Sequence, residues 1–557
     1  MKKHWVLNSW AEGAKRVAEE FDLHPAVASI LLRRGLRNSP EIFSFLNASL
    51  ETLQSPWAFS QMPKAVQRIR QAITRGEKIL IYGDYDVDGI TGSAILYPVL
   101  KKIGADVEVH IPHRMEEGYG LNLESLAKLL KEKPIKLVIT VDNGITGIQQ
   151  VDFLNSNGVD VIIVDHHTPK DETPRAFAII SAAAGDKSGE PNLAACGVAF
   201  KLGWALLGDL EPMKEYLDLV TVGTIADLAP VLGDNRILLK HGLEVLGKTK
   251  RPGLRALMTV AAISRKAVTY RDIAFGLGPR INASGRMGSP QHAFDLLTTE
   301  DPVEAKRLAE FLDGGNRDRQ RVEAKAFQDA AKVVEKNRLE ESSVLVVASP
   351  EWHEGVLGIV ASRLVERFQK PSIVISLKEE MGKGSGRSIP SFSLFDSVLT
   401  CEDLLINFGG HAQACGLTIH KDKIDLFRQR LNESSKNFLQ WDKRIPLEIE
   451  SELPLAELDL KFLKDLERLA PFGPGHQKPL FLSKGLRLKG EAKKRGKDTL
   501  QCWMTDKSGK TTCEVIGFRS YERWTSQKQE AYDIVHQPTL KDFNGIPSIQ
   551  LELEDWH

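Results

Sequence analysis

The sequence predicts an α/β protein built from two α/β domains, a helical connector between them and a C-terminal β-barrel. A chain of 557 residues is too long for one hydrophobic core, so several domains are expected. From about Met62, short apolar strands alternate with helices, which is typical of a parallel sheet covered on both faces. After about Pro446, short strand candidates separated by turn residues indicate a small barrel.

The first α/β domain follows a segment of short helices that ends near a Ser39-Pro40 breaker. A helix is expected over residues 91–103, because Gly104 stands at a natural C-cap position behind it. Strands are expected at residues 79–82, 106–111, 136–141, 160–164 and 177–181, with further helices at 123–131 and 147–155. This alternation predicts a parallel sheet.

Helices are expected again at residues 195–250 and 301–341, and the double glycine Gly314-Gly315 leaves open whether the second stretch is one helix or two. A second α/β unit begins at residues 343–347, includes a strand at 373–375 and ends near Ile419. The predicted domains are an N-terminal helical segment (1–61), the first α/β domain (62–235), a helical connector (236–341), the second α/β domain (342–432) and the barrel (433–557).

Composition argues against several classes of protein. The 74 basic and 74 acidic side chains balance, which argues against a surface coated in nucleic acid but allows positive charge within a groove. The five cysteines form no CxxC pair, so we expect reduced thiols rather than a zinc site or disulfides. No apolar run reaches the roughly 18 residues that cross a bilayer, and the N-terminus lacks a signal-peptide core. A cytoplasmic protein without membrane contact is expected.

Three aspartates, Asp84, Asp86 and Asp88, follow the first predicted strand and precede a helix. Ligands bind outside the carboxyl ends of strands in an open parallel sheet, and carboxylates this close repel one another unless cations lie between them. Hard divalent cations such as Mg²⁺ and Mn²⁺ favour oxygen ligands. A polar turn is the alternative, whereas an EF-hand is excluded because Ile95 stands where its last Glu ligand belongs.

Three more segments are expected at the same edge of the sheet. Asp-Asn-Gly at 142–144 and Asp-His-His at 165–167 each follow a predicted strand, and Asp227 follows an apolar helix. Each has a plainer explanation when taken alone: a turn, an incidental histidine pair and a helix cap. Together they supply enough carboxylates and imidazole to hold two ions about 3.5–4 Å apart, as in two-metal hydrolases that activate water for attack on phosphorus.

The run from Gly83 to Gly89, with the motifs at 142–144 and 165–167, resembles the DHH phosphoesterase superfamily and, within it, the RecJ exonuclease family. The resemblance covers nearly the whole chain. It implies a DHH domain, a DHH-associated domain and an OB-fold, and a 5′→3′ exonuclease that hydrolyses single-stranded DNA to mononucleotides in recombination and repair, using two Mn²⁺ or Mg²⁺ ions. The ligands that it implies are Asp86, Asp88, Asp142, His166 and Asp227, with Asp84 as an additional ligand and catalytic residue. His167 would contact the scissile phosphate.

Other segments that match this family are candidates for holding DNA. The side chains predicted to bind DNA and its 5′ phosphate are Arg114, Arg280, Asn282, His353, Ser385, Arg387 and His411. His411 is also a candidate catalytic residue. Ser385, Arg387 and His411 stand in glycine-rich segments that we interpret as loops able to approach a phosphate closely. The alternatives are structural ion pairs for the arginines and simple turns for the loops.

Seven basic residues between positions 484 and 497, followed by Trp503, lie on a predicted hairpin of the barrel. Basic residues beside an aromatic suit an OB-fold, in which bases stack and phosphates meet positive charge. A solvated charged hairpin is the alternative. By the same resemblance, single-stranded DNA, a RecQ-type helicase and a single-stranded-DNA-binding protein are candidate partners, and a monomer is expected.

Two other functions are considered. A DHH phosphodiesterase for short oligonucleotides or cyclic dinucleotides would not need the N-terminal segment and the barrel. A DNA-binding relative without catalysis would not need every acidic motif, and all of them are present.

Overall fold

The computed structural model describes residues 3–114, 116–169, 172–181, 183, 190–390, 392–436, 446–543 and 546–557. The N-terminal segment contains β1 (His4–Leu7), α1 (Ala14–Phe21), α2 (Pro25–Arg33) and α3 (Ser39–Asn47). The sequence predicts only helices here, and β1 is the difference. It pairs in parallel with residues 446–449, so a backbone partner far along the chain decides its conformation.

The first α/β domain is a parallel sheet with helices on both faces. Its elements are α4 (Met62–Thr74), β2 (Lys78–Tyr82), α5 (Val87–Lys102), β3 (Val107–His110), α6 (Leu123–Glu132), β4 (Ile135–Val141), α7 (Ile148–Ser156), β5 (Asp160–Val164), β6 (Ala178–Ile180), α8 (Ala195–Leu207) and α9 (Leu217–Ala226). The strand order is β3-β2-β4-β5-β6, and every pairing is parallel. The five predicted strands are confirmed to within one residue at each end.

Alternate residues of the central strands enter two hydrophobic clusters. Ile79 and Ile81 of β2 pack into one cluster, and Leu80 and Tyr82 pack into the other on the opposite face. A strand buried on both sides must be apolar throughout, which is why β2 is a continuous apolar run after Lys78.

The connector is a set of helices that ends in one long helix. Its elements are α10 (Gly233–Gly247), α11 (Pro252–Val260), α12 (Tyr270–Asp272), α13 (Gly278–Met287), α14 (Gln291–Thr298) and α15 (Pro302–Lys336), with a π-helical turn at Ile273–Leu277. Helix α15 runs through Gly314 and Gly315 without a break. The cost of about 1 kcal/mol for each helical glycine is small beside the burial of its apolar residues, which include Leu308 and Val334.

The second α/β domain is a five-stranded sheet. It contains β7 (Leu345–Ser349), α16 (Leu357–Phe368), β8 (Ser372–Lys378), β9 (Met381–Arg387), α17 (Leu394–Leu399), β10 (Leu405–His411), β11 (Ala414–His420) and α18 (Ile424–Ser435). The order is β10-β11-β9-β8-β7, and only β7 and β8 are parallel.

Two predicted loops of this domain are wrong. The segment 382–388 is almost entirely the central strand β9, and 409–416 lies on the hairpin of β10 and β11. The reason lies in the packing of alternate glycines. A Cβ on Gly384 would approach Leu417 Cδ1 to 2.8 Å, and one on Gly386 would approach Leu394 Cδ2 to 2.6 Å. Glycine here allows close packing on one face of a strand rather than flexibility.

The C-terminal region forms a barrel. Its elements are β12 (Pro446–Ile449), β13 (Ser451–Glu452), α19 (Leu460–Glu467), β14 (Phe481–Leu488), β15 (Lys493–Arg495), β16 (Thr499–Thr505), β17 (Thr512–Gly517), α20 (Tyr521–Ser526), β18 (Tyr532–Phe543) and β19 (Ile546–Trp556). The sheet order is β13-β14-β18-β19-β17-β16-β15, and an additional pairing of β14 with β16 closes it. The predicted barrel is therefore confirmed.

The N-terminal helices share the core of this barrel. Ile30 and Leu31 of α2 lie in one hydrophobic cluster with Phe462 of α19 and Trp524 of α20. The five cysteines are buried and free, in agreement with the sequence. Among the described residues, no helix has both the length and the apolar character needed to cross a membrane.

Candidate active site

The acidic motifs lie at neighbouring strand ends of the parallel sheet. Asp84 follows β2 after one intervening residue, Asp142 directly follows β4, and Asp165 directly follows β5. The backbone continues the parallel pairing beyond the strands, because Asp84 N–H donates to Val141 O at 3.0 Å and Asp142 N–H donates to Val164 O at 2.9 Å. These hydrogen bonds fix the relative positions of the carboxylates.

All six predicted ligands enter overlapping clusters. Within each cluster the ligand atoms lie within 4.8 Å of one another, and the clusters are Asp84–Asp86–Asp142, Asp88–His166–Asp227 and Asp142–His166–His167. Asp142 and His166 each belong to two of them. His166 Nε2 lies 3.4 Å from Asp142 Oδ1 and 3.9 Å from Asp227 Oδ2. Shared residues of this kind are what a site for two adjacent cations requires.

Asp86 and Asp88 are also held by backbone donors. Asp86 caps α5 by accepting from the N–H groups of Asp88 and Gly89. This cap explains why α5 begins at Val87, four residues before the predicted start. The buried Asp88 carboxylate accepts from Ala195 N at 2.7 Å and Cys196 N at 2.8 Å, at the N-terminus of α8. Because a helix N-terminus carries partial positive charge, it stabilises the ionised carboxylate.

Asp142 adopts a left-handed backbone conformation with φ 65°. This region is unfavourable for a residue with a Cβ, and such outliers cluster at functional sites. The following residue, Asn143, supports the turn, since its amide donates to Tyr82 O at 3.2 Å and to Val141 O at 3.0 Å. The turn therefore ties β2 to β4 and aims the Asp142 carboxylate at the cluster.

The donor set fits divalent cations. Three buried ligand atoms, Asp84 Oδ1, Asp142 Oδ1 and His166 Nε2, have no hydrogen-bond partner among the described residues. Burial and the nearby Asp86 carboxylate raise the pKa of Asp84 and of Asp142 well above the ordinary value. Burial and the charges of Asp88 and Asp86 raise the pKa of Asp227 to about 8. Cations placed among these oxygens would relieve the repulsion and keep the carboxylates ionised.

Asp165 and His167 form a pair beside the cluster. Burial opposes protonation of His167, but its hydrogen bond to Asp165, with Nδ1 2.8 Å from Oδ1, and the charge of Asp165 raise its pKa to about 9. The other Asp165 oxygen accepts from Ile145 N at 3.0 Å. Asp165 is thus a positioning residue that the sequence argument does not single out, although its place directly before two histidines is a visible signal.

A polar cavity of about 200 Å³ adjoins this cluster through Tyr85, whose ring lies 4.9 Å from the guanidinium of the cavity residue Arg114. Its polar lining consists of Arg114, Arg286, Glu354, Ser362, Ser385 and Arg387, and Gly358 in the first turn of α16 also lines it. The Glu354 carboxylate is paired with Lys378 at 2.8 Å and with Lys383 at 3.2 Å, so the three arginines dominate the charge of the cavity. A Cβ on Gly358 would lie 2.8 Å from Arg387 Nη2, so the glycine leaves room for the guanidinium directly against the helix. Burial and the charges of Arg114 and Arg319 lower the pKa of Arg286 to about 10. Guanidinium groups held together at a helix N-terminus are typical of an anion site.

The structure brings together Arg114, Ser385 and Arg387, but it does not place Arg280 with them. The Arg280 guanidinium donates to Asp313 Oδ1 at 2.9 Å and to Gly276 O at 2.8 Å, which is the structural ion pair considered as its alternative. Arg286, on the same helix, stands in the cavity instead and donates to Gly355 O at 3.0 Å. The sequence argument named Arg280 from this segment, whereas the structure places Arg286 in the cavity wall.

The remaining predicted DNA-binding residues lie around this cavity rather than in its wall. Asn282 lines a smaller adjoining cavity of about 160 Å³, which also contains Arg286 and Ala226. His353 accepts from Gly355 N at 3.0 Å, next to the arginines. His411 is exposed at the end of β10 and lines neither cavity. No contact in the described part of the chain connects it to the acidic cluster.

The predicted basic surface of the barrel is present on its β15–β16 hairpin. Trp503 of β16 is 49% exposed, and the side chains of Lys493, Lys494 and Arg495 on β15 are exposed. Part of this charge is paired, because Lys494 lies 3.3 Å from Glu522.

Comparison with protein-family models gives three matches in the expected order. The DHH family N-terminal domain matches residues 78–224, the DHHA1 domain matches 341–437 and the RecJ OB domain matches 449–555. With the acidic cluster, these matches define a metal-dependent phosphoesterase of the DHH class.

Curated proteins that match nearly the full chain identify the family within this class. The chain is 37% identical to the single-stranded-DNA-specific exonuclease RecJ of Bacillus subtilis, over 97% of this chain and 69% of that one. It is 33% identical to RecJ of Dickeya dadantii, over 98% of this chain and 99% of that one. The chain belongs to the RecJ family of exonucleases.

Solved structures with the same fold contain divalent metal ions. RecJ of Thermus thermophilus in complex with Mn²⁺ matches all of this chain and 79% of that one, with a TM-score of 0.85 and 29% identity. The Mg²⁺ complex of the same protein matches with a TM-score of 0.78 and 28% identity. The acidic and histidine clusters of this chain are placed to bind such ions.

Proposed function

We propose that the protein is a 5′→3′ exonuclease that hydrolyses single-stranded DNA to mononucleotides, with two Mn²⁺ or Mg²⁺ ions at the acidic cluster. The observation that carries the proposal is the arginine cavity beside a cluster able to hold two cations. The RecJ relatives are named for action on single-stranded DNA, which supports the substrate.

Asp84, Asp86, Asp88, Asp142, His166 and Asp227 would hold the ions. When bound, such a pair of ions neutralises charge on the phosphate and lowers the pKa of a water molecule. His167, which Asp165 orients and keeps protonated, would donate a hydrogen bond to an oxygen of the scissile phosphate. The Tyr119 hydroxyl lies 3.4 Å from both ring nitrogens of His167 and so contacts the imidazole directly.

The arginine cavity supports a preference for a strand with a terminal phosphate, such as a 5′-phosphorylated end. A terminal phosphate monoester carries a charge of about −1.5 to −2 at neutral pH, whereas an internal diester carries only one. Arg114, Arg286 and Arg387 with the Ser385 hydroxyl match the more highly charged group. A strand anchored there presents its first linkages to the metal cluster, so release of mononucleotides follows.

Labelled strands test this activity. The purified protein with Mn²⁺ or Mg²⁺ should release mononucleotides early from a 5′ label and late from a 3′ label. Asp142→Ala should abolish cleavage, because it removes a ligand shared between clusters. Cleavage of a dinucleotide alone would favour the small-substrate phosphodiesterase, and binding of strands without turnover would favour a non-catalytic relative.

Two arginines on one helix test the end preference. Arg286→Ala should reduce the preference for a 5′-phosphorylated over a 5′-hydroxyl strand by about tenfold or more, because charge-assisted hydrogen bonds contribute about 1.5–3 kcal/mol. Arg280→Ala is the matched control, since its guanidinium is paired with Asp313. Equal effects of the two substitutions would contradict the assignment of the cavity.

We also propose that the protein acts in the cytoplasm as a monomer, and that a RecQ-type helicase and a single-stranded-DNA-binding protein supply and cover its substrate. An enzyme that degrades only single strands needs a source of them, which supports this arrangement. Stimulation of digestion of a duplex by an added helicase of this type tests the partnership, and light scattering tests the monomer.

A further inference from the structure

The loop between β3 and α6 carries two side chains that face the proposed substrate site. Arg114 lines the arginine cavity, and the Tyr119 hydroxyl lies 3.4 Å from the ring nitrogens of His167. In the described part of the chain, the Arg114 guanidinium has no hydrogen bond or ion pair, and it lies 4.9 Å from the Tyr85 ring centroid. The position of Arg114 therefore depends on the backbone of this loop.

The Glu117 side chain holds the first half of the loop. It is 16% exposed, and its Oε2 lies 2.9 Å from Nε2 of His110 at the end of β3. Its Oε1 accepts from His113 N–H at 2.7 Å, and the Glu117 N–H donates to His113 O at 2.8 Å. Both peptide groups that flank His113 are thus bound to Glu117, and the second of them leads directly to Arg114.

Glu117 also closes the second half of the loop, which carries Tyr119. The Glu117 carbonyl accepts from Asn122 Nδ2 at 3.0 Å, so a hydrogen bond spans the turn that contains Tyr119. Gly118 and Gly120, on either side of Tyr119, have φ 82° and 77°, a region that favours glycine. Asn122 is also the N-cap of α6. The turn therefore fixes Tyr119 relative to both Glu117 and the helix.

The Glu117 carboxylate is ionised at neutral pH. Burial opposes its charge, but hydrogen bonds from His110, Ser125 and the loop backbone lower its pKa to about 2. Hydrogen bonds to an ionised acceptor are roughly twice as strong as those between neutral groups. The neighbouring Glu116 differs, because its side chain is 79% exposed and lies 3.9 Å from His113 Nδ1. The loop thus has one buried glutamate that anchors it and one in solvent.

We propose that Glu117 is a positioning residue for the nuclease reaction, which holds Arg114 in the arginine cavity and Tyr119 against His167. The proposal rests on the proposed function, because a terminal phosphate and the scissile phosphate are the groups that these side chains would meet. One carboxylate in this way links recognition of the strand end to the orientation of the imidazole. Its removal should act on the substrate only through the loop.

Binding in EDTA tests the link to Arg114. Glu117→Gln keeps the size of the side chain but leaves one oxygen for two donors. The preference for a 5′-phosphorylated over a 5′-hydroxyl 20-nucleotide strand should fall about tenfold, because a displaced charge-assisted contact is largely lost. Glu116→Gln is the matched control on the same loop and should keep the preference. In an Arg114→Ala background, Glu117→Gln should cause no further loss, since residues that act through one contact are not additive.

Turnover with Mn²⁺ tests the link to Tyr119. Glu117→Gln should raise KM for the 5′-phosphorylated strand and also lower kcat about tenfold, because the imidazole loses its orientation. Arg114→Ala should act mainly on KM, and Glu116→Gln should change neither constant. His110→Phe is a second variant, which keeps a ring beside Tyr82 but removes one donor to Glu117, and it should shift both constants in the same direction.

Full preference and unchanged kcat in Glu117→Gln would overturn the proposal. A further loss of preference in the double variant Arg114→Ala/Glu117→Gln would do so too, because Glu117 would then act by another route. If the wild-type protein prefers the phosphorylated strand in EDTA but does not degrade it, the proposed function fails, and the binding data still decide the role of Glu117.

Discussion

Tyr85 lies between the acidic cluster and the arginines of the neighbouring cavity. Its chain neighbours Asp84 and Asp86 belong to the metal cluster, and its ring lies under the Arg114 guanidinium at 4.9 Å. Its carbonyl packs against Gly285, where an added Cβ would come within 3.1 Å. Tyr85 therefore connects the arginine cavity to the acidic cluster. If a terminal phosphate binds in that cavity, the position of Tyr85 would influence which linkage of the strand reaches the cluster.

Replacing the Tyr85 ring should impair substrate positioning. Tyr85→Leu should raise KM for a 5′-phosphorylated strand about 2- to 30-fold, since the cation–π contact is worth about 0.5–2 kcal/mol. Tyr85→Phe should stay near wild type, because the contact uses the ring. KM for a 5′-hydroxyl strand is the comparison, and it should change little in either variant. If both substitutions impair both substrates equally, Tyr85 has another role.

At the residue scale, the sequence could predict the acidic site but not the choice among arginines. The acidic motifs stand at strand ends, and parallel strands bring their carboxyl ends to one edge whatever the rest of the chain does. Arg280 and Arg286 lie six positions apart on α13, hence about 120° apart around the helix. Which face of α13 meets the second domain depends on how α13 packs against α15, where Asp313 forms an ion pair with Arg280. This packing is tertiary structure and cannot be deduced from the local sequence of α13.

Helix α15 is an element that spans the connector and leads into the second domain. Its 35 residues include Gly314 and Gly315, and neither glycine would meet an atom within 4 Å if a Cβ were added. Steric demand therefore does not explain the glycines. A helix that is continuous in the structure should gain from better helix formers at these positions.

Gly314→Ala and Gly315→Ala should each stabilise the protein by about 0.5–1 kcal/mol, because alanine loses less conformational entropy in a helix. The thermal unfolding midpoint should rise, and the rate of strand degradation should be unchanged. A rise in the midpoint accompanied by a loss of degradation would mean that the glycines act as a hinge between the domains.

Glycine also explains why the elements of the second domain escape prediction. In β9, residues 382, 384 and 386 are glycines, and a sequence rule interprets such a run as a loop. The rule fails because Leu417 and Leu394 on neighbouring elements fill the space that side chains would need. By contrast, the strands of the first domain are apolar runs bounded by turns, and they are predicted to within one residue. An apolar run can be recognised from neighbouring residues in the sequence. The close packing of a glycine depends on residues that are distant in the sequence.

His536 in the barrel makes stability depend on pH. It is fully buried in β18, its Nε2 lies 2.9 Å from Ser483 Oγ, and that hydroxyl donates to Leu453 O at 2.7 Å. His536 Nε2 is therefore the donor in this pair, and the ring is neutral. Burial lowers its pKa to about 3, below the value of about 6.5 in the unfolded chain.

Between pH 6.5 and 3 the unfolded chain binds the proton that folded His536 does not, so stability falls as the pH falls through this window. The stability is fully present above pH 6.5. The loss should be about 2 kcal/mol between pH 6.5 and 5, at about 1.4 kcal/mol per pH unit. Thermal unfolding of the wild type and of His536→Gln at both pH values measures it. Identical pH dependence in the two proteins would exclude His536 as the cause.

At the scale of the whole molecule, the N-terminal segment and the C-terminal barrel form one packed unit. Strand β1 pairs with β12, and α2 shares the core of the barrel. The connector meets the barrel unit through Arg236 of α10, whose buried side chain contacts both Phe45 of the N-terminal segment and Ala470 after α19. Together with the hydrogen bond from Val231 N to Pro474 O, this junction holds the barrel against the rest of the protein.

Removing the Arg236 side chain should weaken the contact between the connector and the barrel unit. Its guanidinium donates to Phe45 O at 2.7 Å, to Ala470 O at 3.0 Å and to Leu469 O at 3.3 Å, and it stacks on the Phe45 ring at 3.8 Å. Arg236→Met leaves several buried carbonyls without donors, each at a cost of about 1–3 kcal/mol. We therefore expect a loss of at least about 3 kcal/mol in the transition that includes the barrel.

The measurement should distinguish the junction from the active site. Arg236→Met should lower the first thermal transition and expose the chain near residue 470 to protease, while hydrolysis of a 5′-phosphorylated dinucleotide continues below that transition. Arg307→Met is the matched control, because Arg307 is exposed and paired only along α15 with Glu304, so a change within about 0.5 kcal/mol is expected. If the two variants unfold in the same way, Arg236 does not stabilise the contact between the connector and the barrel. Loss of long-strand degradation with retained dinucleotide hydrolysis would show that the barrel must be held in place for a strand to reach the metal cluster.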